Sequence, residues 1–237
     1  MKQILSFFLI LIIINGLYSC KNEEPVTVYK GYSFITSTLA NQDTVYGIGF
    51  SSVTNKYFNS VEAIHSTSAK KYTLAAIENH TNNFGYETSF EDMTASLPEI
   101  GKYTFTFNIV GETFTSTDSL TSNVIHPTVI DNCFFNEDEE RIEVSWEAIQ
   151  DAGYIHVFLK TSDGARVFAT KSALGATATS TNISAVTAGW MEGFVPEANN
   201  TFNVEIHAYR FKAGSNNSAR DGIQARSITQ GGTVVWK

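Results

Sequence analysis

Apolar side chains recur at every second position through long stretches of this chain, and that period limits what it can fold into. In RIEVSWEAIQDAGYIHVFLKTSDG, residues 141–164, Ile142, Val144 and Trp146 alternate with Arg141, Glu143, Ser145 and Glu147. Beyond the turn EAIQDAG, Ile155, Val157 and Leu159 repeat the pattern. A period of two matches the pleat of a β-strand, whose successive side chains point to opposite faces. KYTFTFNIV, residues 102–110, places Tyr103, Phe105, Phe107 and Ile109 on one face, and GE (Gly111-Glu112) is expected to turn that strand back into TFTSTDSL. Thr, Ser, Asn and Gly fill the gaps and helix signals are scarce, so the reading is all-β. Strands with one apolar face bury it by packing sheet on sheet.

The first twenty residues follow another rule. Met1-Lys2-Gln3 is a short basic start, and Ile4 to Ile14 is almost wholly apolar. A permanent membrane helix needs about 20 apolar residues, so this run suits the core of a secretory signal instead. LYSC, residues 17–20, resembles the bacterial lipoprotein processing box, with Leu17 three residues before the cysteine and the small Ser19 directly before it. The resemblance implies a signal peptide over residues 1–19, lipidation of Cys20, and a tether over residues 20–27. Such a lipid would hold the chain to a membrane durably, where one acyl chain alone is marginal. Lys21-Asn22-Glu23-Glu24 resembles the acidic signal that sends some Gram-negative lipoproteins to the cell surface. The expected location is therefore the outer membrane, facing outward, with a periplasm-facing anchor as the alternative.

Charge and cysteines narrow the partners. The chain has 237 residues; removing residues 1–19 takes away one charge, Lys2, and leaves 15 basic against 24 acidic side chains, a balance of −9. That disfavours nucleic acid or an anionic membrane surface as a partner. With Cys20 lipidated, Cys133 is alone, so no internal disulfide is available. It lies in the apolar run VIDNCFF and reads as a small core residue, since a reactive thiol favours basic neighbours.

A boundary is expected near LTSNVIHPTVI, dividing the remainder into modules over residues 28–123 and 124–237. RIEVSWEAIQDAGYIHVFLK resembles strands B and C of a fibronectin type III or related Ig-like module. VPEANNTFNVEIHAY, residues 195–209, resembles the stretch that enters strand F, with Phe202, Val204, Ile206 and Ala208 pointing inward. Phe202 stands where that family usually carries tyrosine. In the first module LPEIGKYTFTF keeps the tyrosine, with Leu97, Pro98, Gly101 and Tyr103 in the spacing of a tyrosine corner. Residues 53–92 have no clear assignment, and SAKKYTLAAIENH reads equally as a strand or a short helix. The resemblance implies two tandem Ig-like or fibronectin III-like β-sandwiches, each of about 100 residues.

The search for chemistry is mostly negative. The chain has no G-x-S-x-G elbow, H-E-x-x-H pair, cysteine-rich metal spacing or phosphate-binding glycine loop. No catalytic residue, metal site or cofactor is expected; carboxylates paired from distant strands are the one catalytic arrangement left open. NEDEER, residues 136–141, reads as a solvated acidic turn. Two features suit binding. If Ile155, Val157 and Leu159 point inward, the outer face of strands C and F carries Tyr154, His156, Phe158 and Lys160 beside Asn203, Glu205, His207 and Tyr209. Tyr154, His156, Phe158, Glu205, His207 and Tyr209 are the candidate binding face; it fits a glycan, a protein partner or packing against the first module. TAGWMEGFVP, residues 187–196, brings Trp190 and Phe194 into a loop that either caps the core or presents rings at a tip. The expected role is a non-catalytic protein-interaction, adhesion or spacer module. A glycan-binding accessory lipoprotein of a polysaccharide-uptake system is the alternative.

Overall fold

The computed structural model describes residues 27–77, 80–215 and 222–237. The expected signal peptide, Cys20 and most of the expected tether lie outside the described residues. So does the central part of AGSNNSARDG.

The chain is all-β, as the period predicts. In the first half the strands are β1 (Tyr29–Ala40), β2 (Asp43–Thr54), β3 (Ser60–His65), β4 (Lys71–Ile77), β5 (His80–Glu87), β6 (Gly101–Ile109) and β7 (Glu112–Leu120). They pair in the order β1-β2-β5-β4-β3-β6-β7. β4 is a corner. Its first residues pair with β3 through Leu74 and Tyr72, and its last pair with β5 after a register shift at Ala76/Ile77. The sheet therefore folds over on itself, and Phe50 of β2 meets Tyr103 and Phe105 of β6 with ring centroids 5.0 and 5.7 Å apart. Within SAKKYTLAAIENH, Lys71–Ile77 is thus strand rather than helix. Side chains stitch the free edge of β7 to the first residues of β1. Ser116 Oγ accepts from the Gly31 N–H at 3.1 Å, and Asp118 accepts from the Ser33 N–H at 2.7 Å.

The second half has β8 (Ile130–Asn136), β9 (Arg141–Trp146), β10 (Tyr154–Lys160), β11 (Arg166–Ala169), β12 (Leu174–Gly175), β13 (Ser180–Ser184), β14 (Thr201–Phe211) and β15 (Ile223–Val235). One layer runs β13-β9-β8 and the other β11-β10-β14-β15. That is the A-B-E against C-F-G arrangement of an Ig-like or fibronectin III sandwich. Ile142, Val144 and Trp146, then Ile155, Val157 and Leu159, then Phe202, Val204, Ile206 and Ala208 all lie in its core, each 2% exposed or less.

Two local expectations resolve. The tyrosine corner forms, with Tyr103 Oη donating to the Glu99 carbonyl at 2.7 Å. The β6–β7 turn is one residue earlier than expected. Ile109 pairs with Glu112, so the loop is Val110-Gly111, and Gly111 takes the left-handed position at φ +82°. Glycine occupies that position without steric cost.

The halves are joined by a seam that the sequence reading did not foresee. β1 runs parallel to β15, with Ile35, Thr36, Ser37 and Thr38 opposite Ala225, Arg226, Ser227 and Ile228. One sheet thereby continues from the second sandwich into the first.

Candidate functional site

The site grows from that seam. β10 and β14 pair so that Tyr154 lies opposite Tyr209, His156 opposite His207, and Phe158 opposite Glu205. Alternation turns these side chains away from the core. Because β15 carries β1 on its far edge, the first half rises as a second wall beside them. Between the walls lies a cleft of about 420 Å³, lined on one side by Phe158, Lys160, Arg166, Glu205, His207 and Tyr209 and on the other by Phe34, Phe50, Ser51, Ile77 and Glu87, with Arg226 and Ile223 from β15. A volume of this order is ordinary for small-molecule sites.

Charges inside the cleft are organised in pairs. Glu205, 6% exposed, accepts from Lys160 Nζ at 2.8 Å and from Gln230 Nε2 at 3.0 Å, and its other oxygen lies 3.1 Å from His207 Nε2. Burial alone would raise its pKa, but the bonds from His207 and Lys160 outweigh it and hold the carboxyl at about 2. His207 is pushed down by burial, against the pull of Glu205. Its neutral ring is consistent with Nε2–H facing Glu205 and Nδ1 accepting from the Tyr209 hydroxyl at 3.4 Å. Arg226, 9% exposed, donates to Glu87 at 2.6 Å and sits over the Phe34 ring at 5.7 Å. Burial works against its charge, but Glu87 and Tyr209 more than compensate. Arg166 differs from both: it is exposed, lies 5.6 Å from the Phe158 ring centroid, and has no carboxylate partner among the described residues.

Of the six residues singled out from the sequence, Phe158, Glu205, His207 and Tyr209 line the cleft. Tyr154 does not; it packs against Phe211 and borders a shallower depression with Arg210 and Lys212. His156 is half-buried, with Nδ1 3.1 Å from Thr170 Oγ1, and burial lowers its pKa. Trp190 and Phe194 face the second core. Their rings stack at 5.6 Å, Trp190 also meets Phe168 and Trp236, and its Nε1 donates to the Ser184 carbonyl at 2.9 Å. Cys133 is packed on the same core, and burial lifts its thiol to about 11. The acidic stretch from Glu137 to Glu140 forms the β8–β9 turn, where Glu137 pairs with Lys237 and Glu139 with Arg141. Among the described residues no group of three or more His, Cys, Asp or Glu side chains is placed to hold a metal ion.

The residues that sequence reasoning missed are Arg226, Arg166 and the whole first-half wall. Arg226 sits in IQARSIT, where it reads as an ordinary outward strand residue. Only the parallel neighbour β1 makes it interior.

Fold and cleft together define a class: an all-β protein of two Ig-like or fibronectin III-like sandwiches fused through one sheet. No protein-family model matches the chain, and no curated protein does either. Among solved structures, the chain is similar to the FN1–FN3 domains of chicken CNTN1 at 10% identity and a TM-score of 0.29, covering 86% of this chain and 66% of that one. It is also similar to the BSP domain of a biofilm associated protein at 9% identity and a TM-score of 0.24, covering 93% of this chain and 54% of that one. The chain thus spans less than two thirds of the length of either. At these scores the overlaps carry no weight for function or for the seam. Among the described residues no helix is long and apolar enough to cross a membrane.

Proposed function

We propose that the chain is a non-catalytic envelope lipoprotein, anchored through Cys20 and displayed outside the outer membrane, that serves as a protein-interaction, adhesion or spacer module. The observation that supports this reading most is the continuous sheet across the β1–β15 seam, because a spacer or adhesion stalk works by stiffness. A sheet carried from one sandwich into the next resists bending better than a linker does. The cleft chemistry supports a non-catalytic role. Glu205 is locked ionised and Glu87 is engaged by Arg226; a glycosidase needs one carboxyl held protonated as the acid. Replacing Cys20→Ala tests the anchor. The expected result is that the chain moves from the membrane fraction to the soluble fraction, and that protease added to intact wild-type cells removes it. Retention of Cys20→Ala in the membrane would overturn the anchor, and protection from protease would favour the inward-facing alternative.

A second reading rests on a different observation, the cleft itself. Rings and paired hydrogen-bonding groups in one concavity suit a glycan, as expected of an accessory lipoprotein of polysaccharide uptake. Binding of the full chain to an oligosaccharide array, lost on Phe158→Ala, would support it.

A further inference from the structure

We infer that the cleft between the sandwiches is a subsite for an acidic sugar, with Arg166 as the residue that takes the carboxylate. The inference deepens the glycan reading and rests on it.

Charge accounting points to an anion. The described lining residues include three cations, Lys160, Arg166 and Arg226, and two carboxylates, Glu87 and Glu205. Lys160 is paired with Glu205 and Arg226 with Glu87. Arg166 is the cation in excess, in a chain whose formal charge is −8. Burial keeps His207 from adding a second positive charge. The guanidinium of Arg166 rests near the Phe158 ring, an arrangement that engages its face and leaves its N–H edge to donate. A carboxylate can accept two parallel bonds from such an edge.

The other lining groups select what the anion is attached to. A bare inorganic anion makes no use of the exposed part of Glu87 or of the apolar Ile77 and Phe158, and an apolar acid makes no use of Glu87. A ring bearing several hydroxyls can donate to Glu87, which is 46% exposed at the side chain, and can rest its C–H edges on Ile77 and Phe158. A carboxylate and multiple hydroxyls on one compact ring is the chemistry of a uronic acid. A cleft of about 420 Å³ accommodates one or two such rings.

Titration calorimetry on the full chain in detergent, with a glucuronic acid-containing disaccharide, its neutral glucose counterpart and an acidic dipeptide, tests the inference. The expected result is measurable binding to the uronate, weakening as salt is raised. Arg166→Gln should reduce that binding by about ten- to a hundred-fold, the worth of a charge-assisted bond. Arg166 is exposed on the edge strand β11, so the variant keeps its fold. Equal affinity for the acidic and neutral sugars overturns the acid subsite while leaving the glycan reading intact. Binding of neither sugar overturns both. Uronate binding unchanged in Arg166→Gln overturns the assignment of Arg166, and tighter binding of the dipeptide overturns the choice of a sugar.

Discussion

At Glu205 three neighbours decide the protonation of one carboxyl. Lys160, His207 and Gln230 converge on it from β10, β14 and β15, so it stays ionised although nearly buried. Its folded pKa of about 2 lies below the ordinary 4.5. A depressed carboxyl contributes stability that is fully present above its unfolded pKa and is lost as pH falls through the folded one. Wild-type protein should therefore lose stability at this site progressively from about pH 5 down to about pH 2, in addition to losses elsewhere. Glu205→Gln lacks the carboxylate at every pH. It should be less stable near neutrality by about 1.5–3 kcal/mol, the scale of hydrogen bonds to a charged group. The gap from wild type should close in acid. Urea unfolding midpoints measured at a series of pH values check both parts. A gap that stays constant with pH would mean that Glu205 titrates normally in the folded chain.

Elements differ in how openly they announce themselves. β9, β10 and β14 were legible residue by residue because each lies between an apolar core and a more open face, so burial follows the alternation of side chains. The stretch holding β3, β4 and β5 was not, because β4 serves two sheets and its alternation breaks where it changes partner. β1 hides its neighbour in another way. From Ser33 to Thr38 it is buried on both faces, yet four of those six side chains are hydroxyls that read as solvent-facing. Three of them have polar partners on other elements. Ser33 Oγ donates to Asp118 of β7 at 2.9 Å, Thr36 Oγ1 accepts from Arg226 at 3.4 Å across the seam, and Ser37 Oγ donates to the Ile125 carbonyl in the connection. A pairing this distant in sequence, made by small polar residues, leaves no apolar stripe to find. The same strand depends on close approach of its backbone to the core. A Cβ added at Gly31 would lie 2.1 Å from the Phe105 ring, which is fully buried and packed against the Phe50 ring. Gly31→Ala should cost about 1–3 kcal/mol, the range for overpacking. Chemical denaturation followed by far-ultraviolet circular dichroism measures that loss; an unchanged midpoint would mean that β1 can lift away from β6 at no cost.

Taken whole, the molecule has two cores and one continuous sheet, and these make opposing demands on how it unfolds. The first core gathers Phe50, Phe58, Tyr103, Phe105 and Phe107, and the second gathers Trp146, Phe168, Phe202 and Ile206. Separate cores favour separate transitions. The seam opposes that: opening either sandwich strips β1 or β15 of its parallel partner, breaks the hydrogen bonds of Ser37 and Thr229, and breaks the Lys212–Asp118 and Arg226–Glu87 ion pairs that cross between the halves. Each hydrogen bond exchanged for water costs about 0.5–1.5 kcal/mol, so several lost together couple the two cores. All three tryptophans, Trp146, Trp190 and Trp236, belong to the second half, so their fluorescence reports that half alone, whereas circular dichroism reports both. The two signals should therefore follow one curve in wild type, the usual sign of a cooperative transition. Ser37→Glu places a charge in the closed seam and should uncouple the halves. The fluorescence transition should persist, while the circular dichroism curve splits in two. If the signals already separate in wild type, the parallel pairing does not bind the sandwiches into one unit, and the stiffness on which a spacer role depends is lost with it.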